Sequence, residues 1–196
     1  MDFPMMIGEH EVNSVKELRN LAEENSEAQK ILGEAFFEGD GVPQDYRKAF
    51  SLLEKAAAAG NSQALLDLGY MYRKGIACEV DLLKAEQLYL KAEELGDDEA
   101  DGILAEVYIY GMGPVKQDLL RGLEYANRAV HSERGDDEIL GWFGGMEAFE
   151  KIYEVITGGM LDDNAFRMYC QKLRQDPAQD EYRKYEPIGL YDDEDL

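Results

Sequence analysis

The sequence is short of the residues on which site chemistry usually rests. It has two histidines, His10 and His131, in 196 residues. Neither has a partner at a catalytic or metal-binding spacing, and no nucleophile elbow, phosphate loop or zinc-binding His pair is present. The two cysteines, Cys78 and Cys170, are too distant for a redox or metal pair and fit free thiols in a reducing compartment. No run approaches the roughly 18 apolar residues of a membrane helix. The start, Met1-Asp2-Phe3-Pro4-Met5-Met6-Ile7, lacks the basic region, apolar run and small-residue site of a secretory leader. A cytoplasmic location is therefore expected. Proline is scarce, and two of the five, Pro177 and Pro187, lie in the last twenty residues, so most of the chain is free of helix breakers.

Basic side chains are also few. Lys and Arg number 20 against 42 Asp and Glu, a formal charge of −22. Nucleic-acid phosphates and anionic bilayers repel such a chain, so neither is expected as a partner. A basic protein is attracted and meets it faster; the same charge also serves plain solubility.

What the sequence has is a repeat. Ile31-Leu32-Gly33-Glu34-Ala35-Phe36 matches Asp67-Leu68-Gly69-Tyr70-Met71-Tyr72 and then Ile103-Leu104-Ala105-Glu106-Val107-Tyr108, each copy 36 residues after the last. Ala28, Ala64 and Ala100 keep the spacing, as do Gly39, Gly75 and Gly111. A second half recurs as well: Asp45, Ala49, Leu52, Ala56 and Gly60 match Asp81, Ala85, Leu88, Ala92 and Gly96. The third copy slips by one residue, to Asp118 and Ala129, and a fourth, weaker copy begins near Gly135.

Each unit reads as two helices. Ala28, Leu32 and Phe36 share one face at a spacing of four. Gly33 and Gly69 sit inside the first helix against propensity, at about 1 kcal/mol relative to Ala; close approach of the paired helix is the expected compensation, and Ala105 shows that smallness is what the position requires. Gly39 and Gly75 fit C-caps, Gly41-Val42-Pro43-Gln44 a turn, and Asp45 and Asp81 N-caps. Ser14 to Glu17 and Ser26 to Gln29 both fit a capping box.

These residues resemble the Sel-one-like repeat, a relative of the tetratricopeptide repeat. The pattern Ala-x-x-x-Leu-Gly-x-x-Tyr-x-x-Gly stands at Ala64 to Gly75. Gly41-Val42, Asp45 to Ala49 and Lys55-Ala56-Ala57 to Gly60 carry the rest. The resemblance implies an all-α fold, a right-handed α-solenoid of antiparallel helix pairs, and a role in protein–protein interaction without shared catalytic residues. The expected organisation is a tail over 1–13 and one solenoid domain over 14–175, with an acidic tail over 176–196. Within the domain fall a half-repeat 14–25, repeats 26–60, 61–96 and 97–135, and a modified capping unit 136–175 around Trp142.

The acidic runs have the look of helix starts and solvated surface. Neither Asp97-Asp98-Glu99-Asp101 nor Asp192-Asp193-Glu194-Asp195 has the Gly and Glu of a calcium loop, and no cofactor is expected. Function is instead sought where the repeat leaves residues variable. The resemblance places the first helices on the concave side, where equivalent positions carry Glu34, Tyr70 and Glu106, then Phe37, Arg73 and Ile109, then Glu38, Lys74 and Tyr110. Partner contacts are expected at Glu34, Phe37, Glu38, Tyr70, Arg73, Glu106 and Tyr110. Trp142 of the atypical unit and Asp192, Asp193, Glu194 and Asp195 of the tail complete the set. The expectation is a non-enzymatic scaffold binding and inhibiting a basic partner, as a bacterial immunity protein does a toxin; a cytoplasmic adaptor bridging two proteins is the alternative.

Overall fold

Side-chain caps set where each helix begins. The computed structural model describes residues 1, 3–132, 135, 139–141, 149–150 and 153–154. Within them, a hairpin of β1 (Met5–Ile7) and β2 (His10–Val12) precedes α1 (Val15–Leu21), α2 (Ser26–Glu38), α3 (Tyr46–Ala58), α4 (Ser62–Lys74), α5 (Leu82–Glu94), α6 (Asp98–Tyr110) and α7 (Leu119–Val130). Asn25, Asn61 and Asp97 cap α2, α4 and α6. Ser14, Asp45, Asp81 and Asp118 cap α1, α3, α5 and α7. In every case the side chain accepts a backbone N–H of the first turn, worth about 1 kcal/mol per cap.

At Ser14 the hydroxyl caps as expected, but the Glu17 carboxylate takes the amide of the preceding residue, Asn13, at 2.8 Å, so the reciprocal half of the box is displaced by one residue. The box expected at Ser26 does not form. Asn25 takes the cap, and Gln29 turns inward to donate its Nε2 to the Ala22 carbonyl at 2.9 Å, since a buried amide needs a partner.

The units pair as α2 with α3, α4 with α5 and α6 with α7. Gly39 and Gly75 end the first helices in the left-handed region, at φ 77° and 67°, where a Cβ is penalised. The chain then returns so that the cap residue's own amide bonds the aromatic carbonyl behind it. Asp45 bonds Phe36 at 2.8 Å, Asp81 bonds Tyr72 at 3.0 Å and Asp118 bonds Tyr108 at 2.8 Å. The third loop reaches the same bond with one residue more, absorbed where Met112 and Val115 form a small bridge. That residue is the slip read in the sequence. The result is the expected α-solenoid of antiparallel helix pairs.

Alanine and leucine fill the interior: Ala28, Ala64, Ala100, Leu32, Leu68 and Leu104 are all buried. Tyr72 is only half-buried, whereas Phe36 and Tyr108 are buried. Residues 1–13, expected as a tail, instead hold the hairpin, with Met5 opposite Val12 and Ile7 opposite His10. Ile7 and Val12 are each 2% exposed and belong to the core. Strands of three residues are too short for alternation to show in sequence.

Gly33 and Gly69 are small because the partner helix comes close. A Cβ on Gly33 would lie 3.0 Å from Leu53 Cγ, and one on Gly69 only 2.4 Å from the Tyr89 ring. In the third unit the tight point moves to the other helix: a Cβ on Gly122 would meet Ile109 Cγ1 at 2.7 Å and the Ile109 amide nitrogen at 2.8 Å.

Candidate protein-binding face

The 36-residue period puts equivalent side chains of α2, α4 and α6 in line. On α2, Glu34 is half-buried and pairs with Lys30 four residues earlier at 2.9 Å, while Glu38 is exposed. Phe37 stands edge-on to Tyr46 of α3, centroids 5.3 Å apart, and to Tyr70 of α4 at 6.2 Å. Edge-to-face contacts of this kind add about 0.5–1.5 kcal/mol beyond the area buried. Together Phe37, Tyr46 and Tyr70 form an aromatic band that joins the first two units, with the Arg73 guanidinium 6.0 Å from the Tyr70 ring centre.

Two of the expected contact residues lie deeper. Arg73 and Glu106 are 7% and 8% exposed, which removes them from the accessible surface. Arg73 hydrogen-bonds the Tyr89 hydroxyl; burial first, with the Glu106 charge adding, pushes that phenol up to about 12. The pair belongs to an interior polar cluster, since buried charges persist only where they are partnered. Tyr110 is half-buried at the end of α6. Trp142, Asp192, Asp193, Glu194 and Asp195 lie outside the described residues, as does Cys170. His10 sits exposed in β2, and His131 follows α7 as its C-cap, its Nδ1 2.8 Å from the Asn127 carbonyl.

Sequence reading missed Asp67. It occupies the position of Ile31 and Ile103 in the neighbouring units, so a carboxylate stands where the repeat otherwise places an apolar side chain. That mismatch was its signal. Its Oδ2 is shielded from solvent and has no hydrogen-bond partner among the described residues. Burial and then the Glu34 charge raise its pKa to about 7, with Glu99 and Glu38 adding and Lys30 opposing. Lys30 itself is drawn both ways: burial lowers its pKa, but Glu34, Glu27 and Asp67 more than offset this and raise it. One lysine thus serves several carboxylates. Further along, Gln63 Nε2 donates to Asp97 and Glu99, at 3.1 Å for each nearest oxygen, and Asn61 donates to Glu27 at 2.9 Å. The face is acidic, partly aromatic and electrostatically unfinished at Asp67.

Among the described residues, no group of three or more His, Cys, Asp or Glu side chains has metal-holding geometry. In the same residues no helix is long and apolar enough to cross a membrane.

Comparison with known proteins gives this arrangement a family. The family model for the Sel1 repeat matches residues 26–61, 62–97 and 102–131. The alginate biosynthesis protein AlgK of Azotobacter vinelandii is 39% identical over 113 residues, covering 58% of this chain and 24% of AlgK. The ERAD-associated E3 ubiquitin-protein ligase component HRD3 of Candida glabrata is 35% identical over 65 residues, 33% of this chain and 7% of HRD3. The chain thus spans about a quarter or less of these relatives' length. Two solved structures share the fold. One is c5321, a protective antigen of uropathogenic Escherichia coli with an SLR fold, at 27% identity and TM-score 0.62, covering 81% of this chain and 32% of that one. The other is a Sel1 repeat protein from Oxalobacter formigenes, at 26% identity and TM-score 0.59, covering 84% of this chain and 63% of that one.

Proposed function

The chain belongs to the Sel1 repeat family, and from that premise we propose that it is a non-catalytic scaffold whose first-helix face binds a basic partner protein. The observation that carries the reading is Asp67, a shielded carboxylate with an unpartnered oxygen among Glu34, Glu38 and Glu99. An arginine or lysine from a partner seated over this face offsets the charge that Glu34, Glu38 and Glu99 place around Asp67, and the Phe37–Tyr70 band beside it offers the flat apolar surface on which a guanidinium stacks. A relative named as a component of a ubiquitin ligase supports use of this repeat within protein assemblies. The net charge of −22 adds long-range attraction for the same class of partner.

In its sharper form, the chain is a cytoplasmic immunity protein whose partner is a toxin domain. A basic nuclease surface docked on this face loses its own phosphate-binding site by occlusion. The support for that form is the sign and size of the charge on a small interaction scaffold. Co-purification with the product of the adjacent gene, at one-to-one stoichiometry, is the expected result; recovery of two partners held at once indicates an adaptor instead. For the complex itself, Asp67→Asn is expected to weaken binding at least tenfold, and the association rate to fall steeply between 50 and 300 mM salt. A Kd unmoved by Asp67→Asn and an on-rate indifferent to salt would remove the basic-partner reading.

A further inference from the structure

A different surface of the first unit shares no residue with the face around Asp67. A repeating contact makes it visible. The fifth residue after each second-helix N-cap meets the aromatic ring of the following unit. Arg19 of α1 lies over Phe36 at 5.7 Å. Phe50 of α3 stands edge-on to Tyr72 at 5.5 Å. Glu86 of α5 accepts the Tyr108 hydroxyl at 2.7 Å. Each ring is covered by the protein's own side chains, and Phe36, 6% exposed, lies beneath Arg19 and Lys48. Phe50 covers Tyr72, while Tyr125 stacks on Tyr108 at 5.7 Å with Arg121 above it at 4.2 Å. The cations of the third unit are also answered internally, since Arg128 pairs with Glu93 and Asp101 at 2.7 Å each.

The first unit has an open cleft of about 500 Å³ between α1 and α3, and the third has one of about 430 Å³ beside Arg121, Tyr125 and Arg128, where Glu93 and Glu124 supply carboxylates. Half-buried Leu52 is the first cleft's accessible apolar lining, above the buried Leu32 and Phe36, and Arg19, Lys48 and Lys55 stand around it. Lys48 lies 5.2 Å from the Phe36 ring centre and is paired with Asp45. Arg19 and Lys55 have no carboxylate within ion-pair distance among the described residues. Glu23 is the one acid lining the cleft. In a chain of net charge −22, two neighbouring cations outside any ion pair, Arg19 and Lys55, are unusual.

We propose that this cleft is a second docking site, which takes a segment of a partner protein presenting an Asp or Glu side chain next to a large apolar one. The carboxylate meets Arg19 and Lys55, and the apolar neighbour settles on Leu52 and on the aliphatic stems of the cations above Phe36. Charge complementarity selects the sign, and the half-buried Leu52 favours an apolar companion. A polyanion such as nucleic acid is the wrong occupant, because the rest of the molecule repels it. An isolated carboxylate on an otherwise apolar segment brings too little charge to be repelled in that way. The site stands apart from Asp67 and its face, so either can fail without the other.

The test is a random peptide library displayed on phage, panned against the full chain, with the enriched peptides synthesised and titrated by calorimetry. Enrichment of peptides pairing Asp or Glu with Phe, Leu or Met is expected. Their affinity should fall at least tenfold in the R19E/K55E double variant, at least threefold in R19M/K55M, and less than twofold in Glu94→Gln, an exposed residue of α5 that does not line the cleft. Circular dichroism and a melting curve check that the exposed substitutions leave the fold intact. Enrichment of cationic peptides, no enrichment over an unrelated Sel1 repeat protein, or binding indifferent to both double variants overturns the proposal.

Discussion

The second and third units solve one packing problem in opposite ways. In the second, α4 gives way: Gly69 leaves room for the Tyr89 ring of α5, which reaches the Arg73 guanidinium. In the third, the residue eight positions after the cap, equivalent to Tyr89, is Ala126, and the first helix fills the space with Ala105. The tight approach moves to Gly122, which lies against Ile109 and its backbone. What the repeat holds constant is therefore the distance between paired helices and the summed volume between them. The identity of the small residue, and even which helix carries it, is free to change.

The largest effect should come from challenging the backbone contact. Gly122→Val is expected to cost more than about 4 kcal/mol and to abolish cooperative urea unfolding, because the Ile109 main-chain nitrogen beside it cannot step aside. Gly69→Ala should cost about 2–3 kcal/mol, since a ring can tilt where a backbone cannot. The comparison sharpens in a double-mutant cycle. Gly69→Ala with Tyr89→Ala imports the third unit's Ala–Ala pair, and its destabilisation should fall at least 1 kcal/mol short of the sum of the single variants. Simple additivity would mean that volume is not shared across this seam.

A smaller effect separates Asp67 from its apolar equivalents. Its folded pKa of about 7 lies above its ordinary 3.8, so the folded state holds the proton more tightly than the unfolded chain does. Stability from this group is full below about pH 4 and is lost as pH rises towards 7. Asp67→Ile, which copies Ile31 and Ile103, should therefore stabilise the chain by about 2 kcal/mol at pH 8 and leave it nearly unchanged at pH 4. Melting curves at the two pH values measure the difference. Gain in stability paired with loss of partner binding is the signature of a residue kept for contact. The smallest effect is at the caps: Asp81→Ala and Asn61→Ala should each cost about 1 kcal/mol in urea titrations, and a cost near zero at Asn61 would show that its bond to Glu27 is dispensable.

The solenoid was legible because its evidence recurs. Three copies of glycine, alanine and cap residues at one spacing identify helices, turns and interior together. The hairpin at Met5–Val12 does not recur and is too short to show a period. The Ser26 box failed because Asn25, one residue earlier, is an equally good cap, and local spacing does not rank the two. Site residues were harder to read. Variability between units marks a residue as not needed for the repeat, but it does not say whether its side chain faces solvent. Glu38 does, while Arg73 and Glu106 turn inward to Tyr89. Asp67 was readable by the opposite logic, as an acid at a position the repeat keeps apolar, and so was the first unit's cleft, as an arginine where later units place Phe50 and Glu86.

The contact from one unit's second helix to the next unit's aromatic ring also has a direction. Phe36, Tyr72 and Tyr108 each receive a side chain from the unit that precedes them in the chain. On a ribosome the giver is always made before the receiver. Each new ring emerges to find one of its contacts already in place, and the rest of its cover, Lys48 for Phe36 and Tyr125 with Arg121 for Tyr108, follows from its own unit's second helix. A circular permutant that begins at Asn61 and places residues 1–60 last would reverse that order for Tyr72 alone.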